Sequence, residues 1–219
     1  MKNRQAGFTL AEIAIVLVII GLLMGSVLKG RELINNAKVK NLANDFNQIA
    51  AAFYGYQDRY RRFPGDDNDA VSRWGSTTAN GDGDGAIAGD FYTNSDTSES
   101  RRFWQHLRLA GFIVGDTASS AQPGNAVGGI IGVQTSAGPK TAREIVGTVL
   151  CSTNLPGKIA IAIDHMLDDG KSASGSVRGY AQTGPLVATA PGSNSPVNAA
   201  SATSYTEDET TLYTVCRAI

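Results

Sequence analysis

The chain has 219 residues, 42% hydrophobic and 18% charged, the makeup of an ordinary globular protein with enough material for one compact domain beyond its start. Lys and Arg number 19 against 20 Asp and Glu, a net charge of -1, which argues against the broad cationic footprint that nucleic-acid binding needs.

The first predicted element lies in "GFTLAEIAIVLVIIGLLMGSVLKG", residues 7 to 30. From Phe8 to Leu28 only Thr9, Glu12 and Ser26 carry a polar side chain, and the run is long enough to cross a bilayer as a helix of roughly 30 Å. Lys2 and Arg4 precede it and Lys29 is the first cation after it, an asymmetry that keeps the start cytoplasmic and sends the remainder outward. An ordinary secretory signal is the alternative reading. Its apolar core is usually about 7 to 15 residues with a small-x-small cleavage site behind it, and no clear Ala-x-Ala follows Leu28. Glu12 is the anomaly, because a carboxylate within a membrane costs about 2.5 to 3.5 kcal/mol and calls for a partner or an interfacial depth.

Gly7-Phe8-Thr9-Leu10-Ala11-Glu12, after a short basic leader and before unbroken aliphatics, resembles the class III signal of the type IV pilin and type II secretion pseudopilin superfamily. The resemblance covers about the first 55 residues. It implies a prepilin peptidase that cuts between Gly7 and Phe8 on the cytoplasmic side, N-methylation of the new amino terminus, and retention of the apolar segment. It also supplies a partner for Glu12: the cationic amine of Phe8, one helical turn away, or that of a neighbouring subunit. In a filament core of apolar helices such a pair fixes axial register, since a subunit out of step would leave both charges unpaired in low dielectric. Loss of Lys2 and Arg4 with the leader would take the side-chain charge from -1 to -3.

The helical pattern continues past the apolar run. Leu33, Ala37, Leu42, Phe46, Ile49, Ala50, Phe53, Tyr56 and Tyr60 recur mainly at three- and four-residue steps, with charged residues largely between them, and the first proline is Pro64. One helix from Phe8 to about Tyr60 would measure about 80 Å. Many pilins carry a proline near the position of Lys29; this chain has none, which leaves Gly21, Gly25 and Gly30 as its candidate weak points.

Residues 60 to 99, rich in Gly, Asp and Asn, read as a long loop with little regular structure. Within it Asn80-Gly81-Asp82-Gly83-Asp84-Gly85 resembles the first half of an EF-hand loop, with Ile87 at the apolar position, but the twelfth position is Phe91 and not a bidentate Glu. Two readings follow: a calcium site built from Asp82, Asp84 and Asp90, with Asp66, Asp67 or Asp69 nearby, or a solvated Gly-Asp turn.

A second helix is expected over Glu99 to Ala110, with Ser98 as N-cap, Gly111 as stop, and Phe103, Trp104, Leu107 and Ala110 on its buried face. Arg101, Arg102 and Arg108 would form either a solvated charged face or an anion site. "PGKIAIAIDHMLDDGK" predicts a third helix, with Pro156 near its start, Ile159, Ile163 and Leu167 on one face, and Gly170 at its end. Asp168-Asp169 is either a second ligand set or a helix end passing into a turn. Strands are expected at residues 129–134, 145–152, 176–181 and 210–217, and loops at 115–127 and 183–205.

Cys151 and Cys216 lie in the part expected outside the cytoplasm, so a disulfide is the default and two buried free thiols the alternative. Closing a loop of about 65 residues would contribute roughly 4 kcal/mol in the chain-entropy picture. The assembled expectation is an α+β fold: a leader, residues 1–7; a long helix, residues 8–60, whose segment 8–28 enters membrane or filament core; and a globular domain, residues 61–219, with a small antiparallel sheet. No enzyme is expected, because His106 and His165 are the only histidines and neither sits in a triad or zinc spacing.

Two roles remain. The first is a structural filament subunit, inserted once in the bacterial inner membrane and then polymerised with copies of itself by a platform protein and an assembly ATPase, in a pilus or a pseudopilus. The second is a low-copy tip protein whose loops contact a surface, DNA or a secretion substrate.

Overall fold

The computed structural model describes residues 9–135, 145–182, 184–185 and 204–219. Helix α1, Leu10–Tyr60, runs without interruption through Gly21, Gly25 and Gly30, and Lys29 meets Glu32 on its surface at 2.7 Å. The chain divides into two compact units, residues 1–37 and 38–219.

In the first unit the aliphatic side chains of α1 are exposed, from Leu10 through Ile13, Leu17, Leu22 and Leu28 to Ile34. As far as Leu28 the helix is apolar nearly all round, the pattern of a segment meant for a medium other than water. Within the second unit α1 becomes one-sided. Val39, Leu42, Ala43, Phe46, Ile49, Ala52, Phe53 and Tyr56 are buried at three- and four-residue steps, and the polar residues between them face out. The helix stops where Arg61 adopts a left-handed φ of 55° and its N–H closes back on the Gln57 carbonyl, three residues before Pro64.

Strands β1 (Ile131–Thr135), β2 (Thr148–Pro156), β3 (Val177–Ala181) and β4 (Leu212–Ala218) form one antiparallel sheet in the order β1-β2-β4-β3. Because successive side chains alternate, Ile131, Val133, Leu150, Val177 and Val215 share one face and join the core made by the buried stripe of α1. Val149, Cys151, Tyr180 and Cys216 occupy the other, under Phe91. A bulge between Ser152 and Leu155, with Asn154 at a φ of 62°, resets the alternation of β2 so that Leu155 joins its β4 partner Tyr213 in the main core.

Helix α3 (Glu99–Leu109) adds Phe103, Trp104 and Leu107 to that core, and α4 (Gly157–Leu167) adds Ile159, Ala160 and Ile163. The architecture is therefore α+β, as the residue pattern implies. One difference lies in the stretch expected to be loop: Ala70–Trp74 forms a short helix, α2, followed by a 3-10 turn at Gly75–Thr77. Five residues are too few to show a helical period, and α2 is held from outside by burial of Ala70 and by Asn80 Oδ1, which accepts the Val71 N–H at 2.8 Å. Most of the stretch 183–205 lies outside the described residues.

Cys151 and Cys216 are bonded and face each other in register across β2 and β4, 4.0 Å apart at Cα. Gly132 is the β1 partner of Cys151, and a side chain there would collide with the Phe91 carbonyl, so the missing Cβ is what lets the 91 segment cross over the bond. Replacing both cysteines with alanine is expected to cost about 2 to 5 kcal/mol, read as a lower denaturant midpoint for residues 36–219. Wild-type protein in reductant should move to the same midpoint.

Candidate functional site

Glu12 has a partner within its own chain. Its Oε2 accepts the Thr9 backbone N–H at 2.9 Å and the Thr9 hydroxyl at 2.8 Å, while the Glu12 N–H donates to Thr9 Oγ at 3.2 Å. Thr9 is the residue before the first helical one, so the pair is a capping box that satisfies orphan donors at the start of α1. The Thr-x-x-Glu spacing was visible in the sequence, but the acid's place in an apolar run drew attention to an ionic partner instead. Gly7 and Phe8, the residues of the expected cut, lie outside the described residues.

The Gly-Asp loop is organised around a carboxylate that is not part of the motif. Asp66 is 2% exposed; its Oδ1 accepts the N–H groups of Gly83 at 2.7 Å and Asp84 at 3.1 Å, and its Oδ2 accepts that of Gly85 at 2.9 Å. Three successive backbone donors converge on one anion, the arrangement of a nest. Burial pushes the Asp66 carboxyl above the usual carboxylate range, and the N–H groups of Gly85 and Gly83 pull it part of the way back. Gly81 passes directly over the Asp66 backbone, with no room for a Cβ, and its N–H donates to the Asp67 carbonyl at 2.9 Å.

Glu99, at the start of α3, clamps the same loop from the other side, taking the Asp82 N–H on Oε1 and the Ala88 N–H on Oε2, both at 2.9 Å. Asp82 and Asp84 each accept the N–H two residues on, the local turn chemistry that makes aspartate frequent in loops. Asp90 accepts the Tyr92 hydroxyl at 3.1 Å. Among the described residues the carboxylates that approach one another here are Asp66, Asp82 and Glu99, with one oxygen from each within 4.8 Å of the others. Of the acids expected to gather, Asp82 and, among those expected nearby, Asp66 belong to this group, and Asp84, Asp90, Asp67 and Asp69 do not; Glu99 was read only as a helix start.

Asp67, fully buried, accepts the Tyr56 hydroxyl at 2.5 Å and pairs with Arg73. A further acidic group, Asp164, Asp168 and Asp169, closes the end of α4. Its oxygens are engaged: Asp164 accepts the Tyr205 hydroxyl at 2.7 Å and the Gly170 N–H at 2.9 Å, and Asp168 accepts the N–H groups of Ser176 and Val177. The arginines of α3 act as staples. Arg101 holds Asp96 and Gln122, Arg102 the Asn80 carbonyl, and Arg108 the carbonyls of Ser119 and Ala121.

The two histidines differ sharply. His165 is exposed on α4. His106 is completely buried on α3; its Nδ1 accepts the Gly65 N–H at 2.9 Å, so the proton sits on Nε2, 3.2 Å from the Ala79 carbonyl. Burial first of all, then the cations Arg102 and Arg73, lowers its pKa to about 4 against the Ala79 hydrogen bond.

A long amino-terminal helix with an exposed apolar half precedes a domain of one small antiparallel sheet, and that apolar half fits a membrane-anchored precursor. Residues 2–28 match the family model described as the prokaryotic N-terminal methylation motif, the class III signal of type IV pilins and pseudopilins. The motif indicates a pilin-like or pseudopilin precursor and points to a structural protein. No curated protein and no solved structure matches the chain.

Asp66→Ala strands three backbone donors and should cost about 3 kcal/mol or more in a denaturant titration, whereas Asp84→Ala, which frees one exposed donor, should cost less than about 1 kcal/mol.

Proposed function

We propose that the chain is a structural subunit of a type IV pilus-like or type II secretion pseudopilus filament, cut by prepilin peptidase between Gly7 and Phe8 and polymerised through α1. The observation that carries this reading is the stretch of α1 with mean hydropathy 2.6 over 18 residues, none of it buried within the chain, directly at the methylation motif. Such a surface is stable only in lipid or against other copies of itself. The motif implies prepilin peptidase and filament assembly, and fits a membrane-anchored precursor. The platform protein, the assembly ATPase and the final extracellular or periplasmic location follow from the proposal.

The capping box gives Glu12 a place to rest before assembly. In the uncut chain the acid enters the membrane with Thr9 supplying two donors, which lowers its desolvation cost. Cleavage would create a cation at Phe8 beside that same carboxylate, and a neighbouring subunit's amine could then exchange for Thr9 as the filament forms.

A calcium ion is the cofactor this reading allows in the loop, with Asp66, Asp82 and Glu99 as its carboxylates. A hundredfold excess over the dissociation constant would raise the stability of residues 36–219 by about 2.7 kcal/mol. The test is melting in calcium and in chelator: a rise that Asp82→Ala removes supports the ion, and equal melting temperatures leave the loop to its backbone donors.

The mature protein is expected to begin at methylated Phe8, and an intact Met1 to Gly7 leader on assembled protein, seen by mass spectrometry, would overturn the processing step. Glu12→Val should insert in the membrane at least as well as wild type yet lose most filament yield, measured on sheared filaments. The composition of those filaments separates a main subunit, which would dominate them, from a tip protein present in traces.

A further inference from the structure

We infer that His106 is an acid-sensitive latch that holds the segment between Gly65 and Ala79 closed, so that protonating it releases residues 62–98 while the disulfide-bonded sheet stays folded. The observation is geometric. One buried imidazole bridges both ends of the segment: Nδ1 receives the N–H of Gly65 and Nε2–H reaches the carbonyl of Ala79. Between these points lie Asp66, which organises the Gly-Asp loop, Asp67, α2 and the 3-10 turn. Opening the clasp therefore loosens everything that those residues hold.

Only the neutral ring with its proton on Nε2 can make both bonds, because a second proton on Nδ1 would face the Gly65 N–H, donor against donor. Among the described residues no anion acts on that extra charge. Tyr56 of α1 stacks against the ring with centroids 6.4 Å apart, and Trp74 of α2 lies at 6.0 Å. The charged groups acting on it are the cations Arg73 of α2 and Arg102 of α3. In the turn that follows Gly65, Asp67 is already shared by Tyr56 and Arg73, and Asp66 is held by three backbone donors. The sheet sends no titratable group toward the imidazole among those that act on it.

The sign follows from linkage. The closed state lowers the histidine pKa from 6.5 to about 4, so its contribution is complete above about pH 6.5 and is lost as pH falls toward 4. With an ordinary histidine in the open state, the opening equilibrium rises about 30-fold between pH 7.5 and pH 5. Asp66 works the other way, since its raised carboxyl pKa favours the closed state in acid, and the variant must isolate the histidine.

The experiment is hydrogen exchange on the full chain in detergent micelles at pH 7.5 and pH 5, corrected for intrinsic exchange rates. Peptides from residues 62–98 should lose protection about 30-fold in acid, while those from residues 148–156 and 212–218 keep theirs. His106→Gln retains an acceptor and a donor without a titratable ring and should abolish the difference. Acid loss that persists unchanged in H106Q, or wild-type protection in 62–98 that is independent of pH, would overturn the latch. Should H106Q fail to fold, a proton NMR titration of the wild type decides: the His106 imidazole must titrate about two pH units below an ordinary histidine, and titration in the ordinary histidine range would sink the idea.

Discussion

Everything in this structure is hung on one helix that must satisfy two solvents. Over its first part α1 presents aliphatic side chains in every direction, and over its last part it presents a single apolar stripe. No break, proline or 3-10 segment separates the two regimes. The change is made by side chains alone, as charged and amide residues replace aliphatics on the outward side from about Arg31 onward. The stripe from Val39 to Tyr56 then serves as the floor on which the sheet and α3 are laid.

The second organising device is the use of backbone N–H groups in place of regular structure. Residues 61–98 contain only one short helix and a 3-10 turn, yet Ile87 and Phe91 are fully buried and their backbone groups are tied to β1. Buried loops are expensive unless each donor finds an acceptor. For other donors of the loop the acceptors are the carboxylates of Asp66 and Glu99, each reaching across 17 residues of sequence, and of Asp67, which closes its own turn. The loop thereby covers the disulfide face of the sheet with Phe91 while Gly65 and Gly81 pass against backbone where no side chain would fit.

Much of the fold could be read from local pattern. The end of α1 at Tyr60, the bounds of α3 and α4, and four strands within four residues of their observed ends follow from periodicity, caps and the placement of proline and glycine. The site was legible only where its signal was local. Thr9 and Glu12 stand three apart and form a recognisable cap, but Asp66 meets its partners 17 to 19 residues away, and no spacing rule announces that. Asp82 and Asp84 suggested a cation loop because alternating acids are rare enough to notice, whereas their geometry is largely that of turns. His106, on an amphipathic helix, looked like a surface or packing residue; its two backbone partners come from segments that had no predicted structure. Asn154 and the bulge it makes were invisible for a similar reason, since no local pattern in β2 marks the shift that turns Leu155 into the main core.

The direct pairing of Cys151 with Cys216 has a mechanical side. The bond lies crosswise between neighbouring strands and closes a loop with a sequence separation of 65. Fully drawn out, that loop would supply on the order of 200 Å of contour length. With the bond in place a pull on the two ends of the chain passes from β2 straight to β4 through sulfur and never reaches the residues between. The elements enclosed by the bond, α4 and β3, would thus be sheltered from such a load.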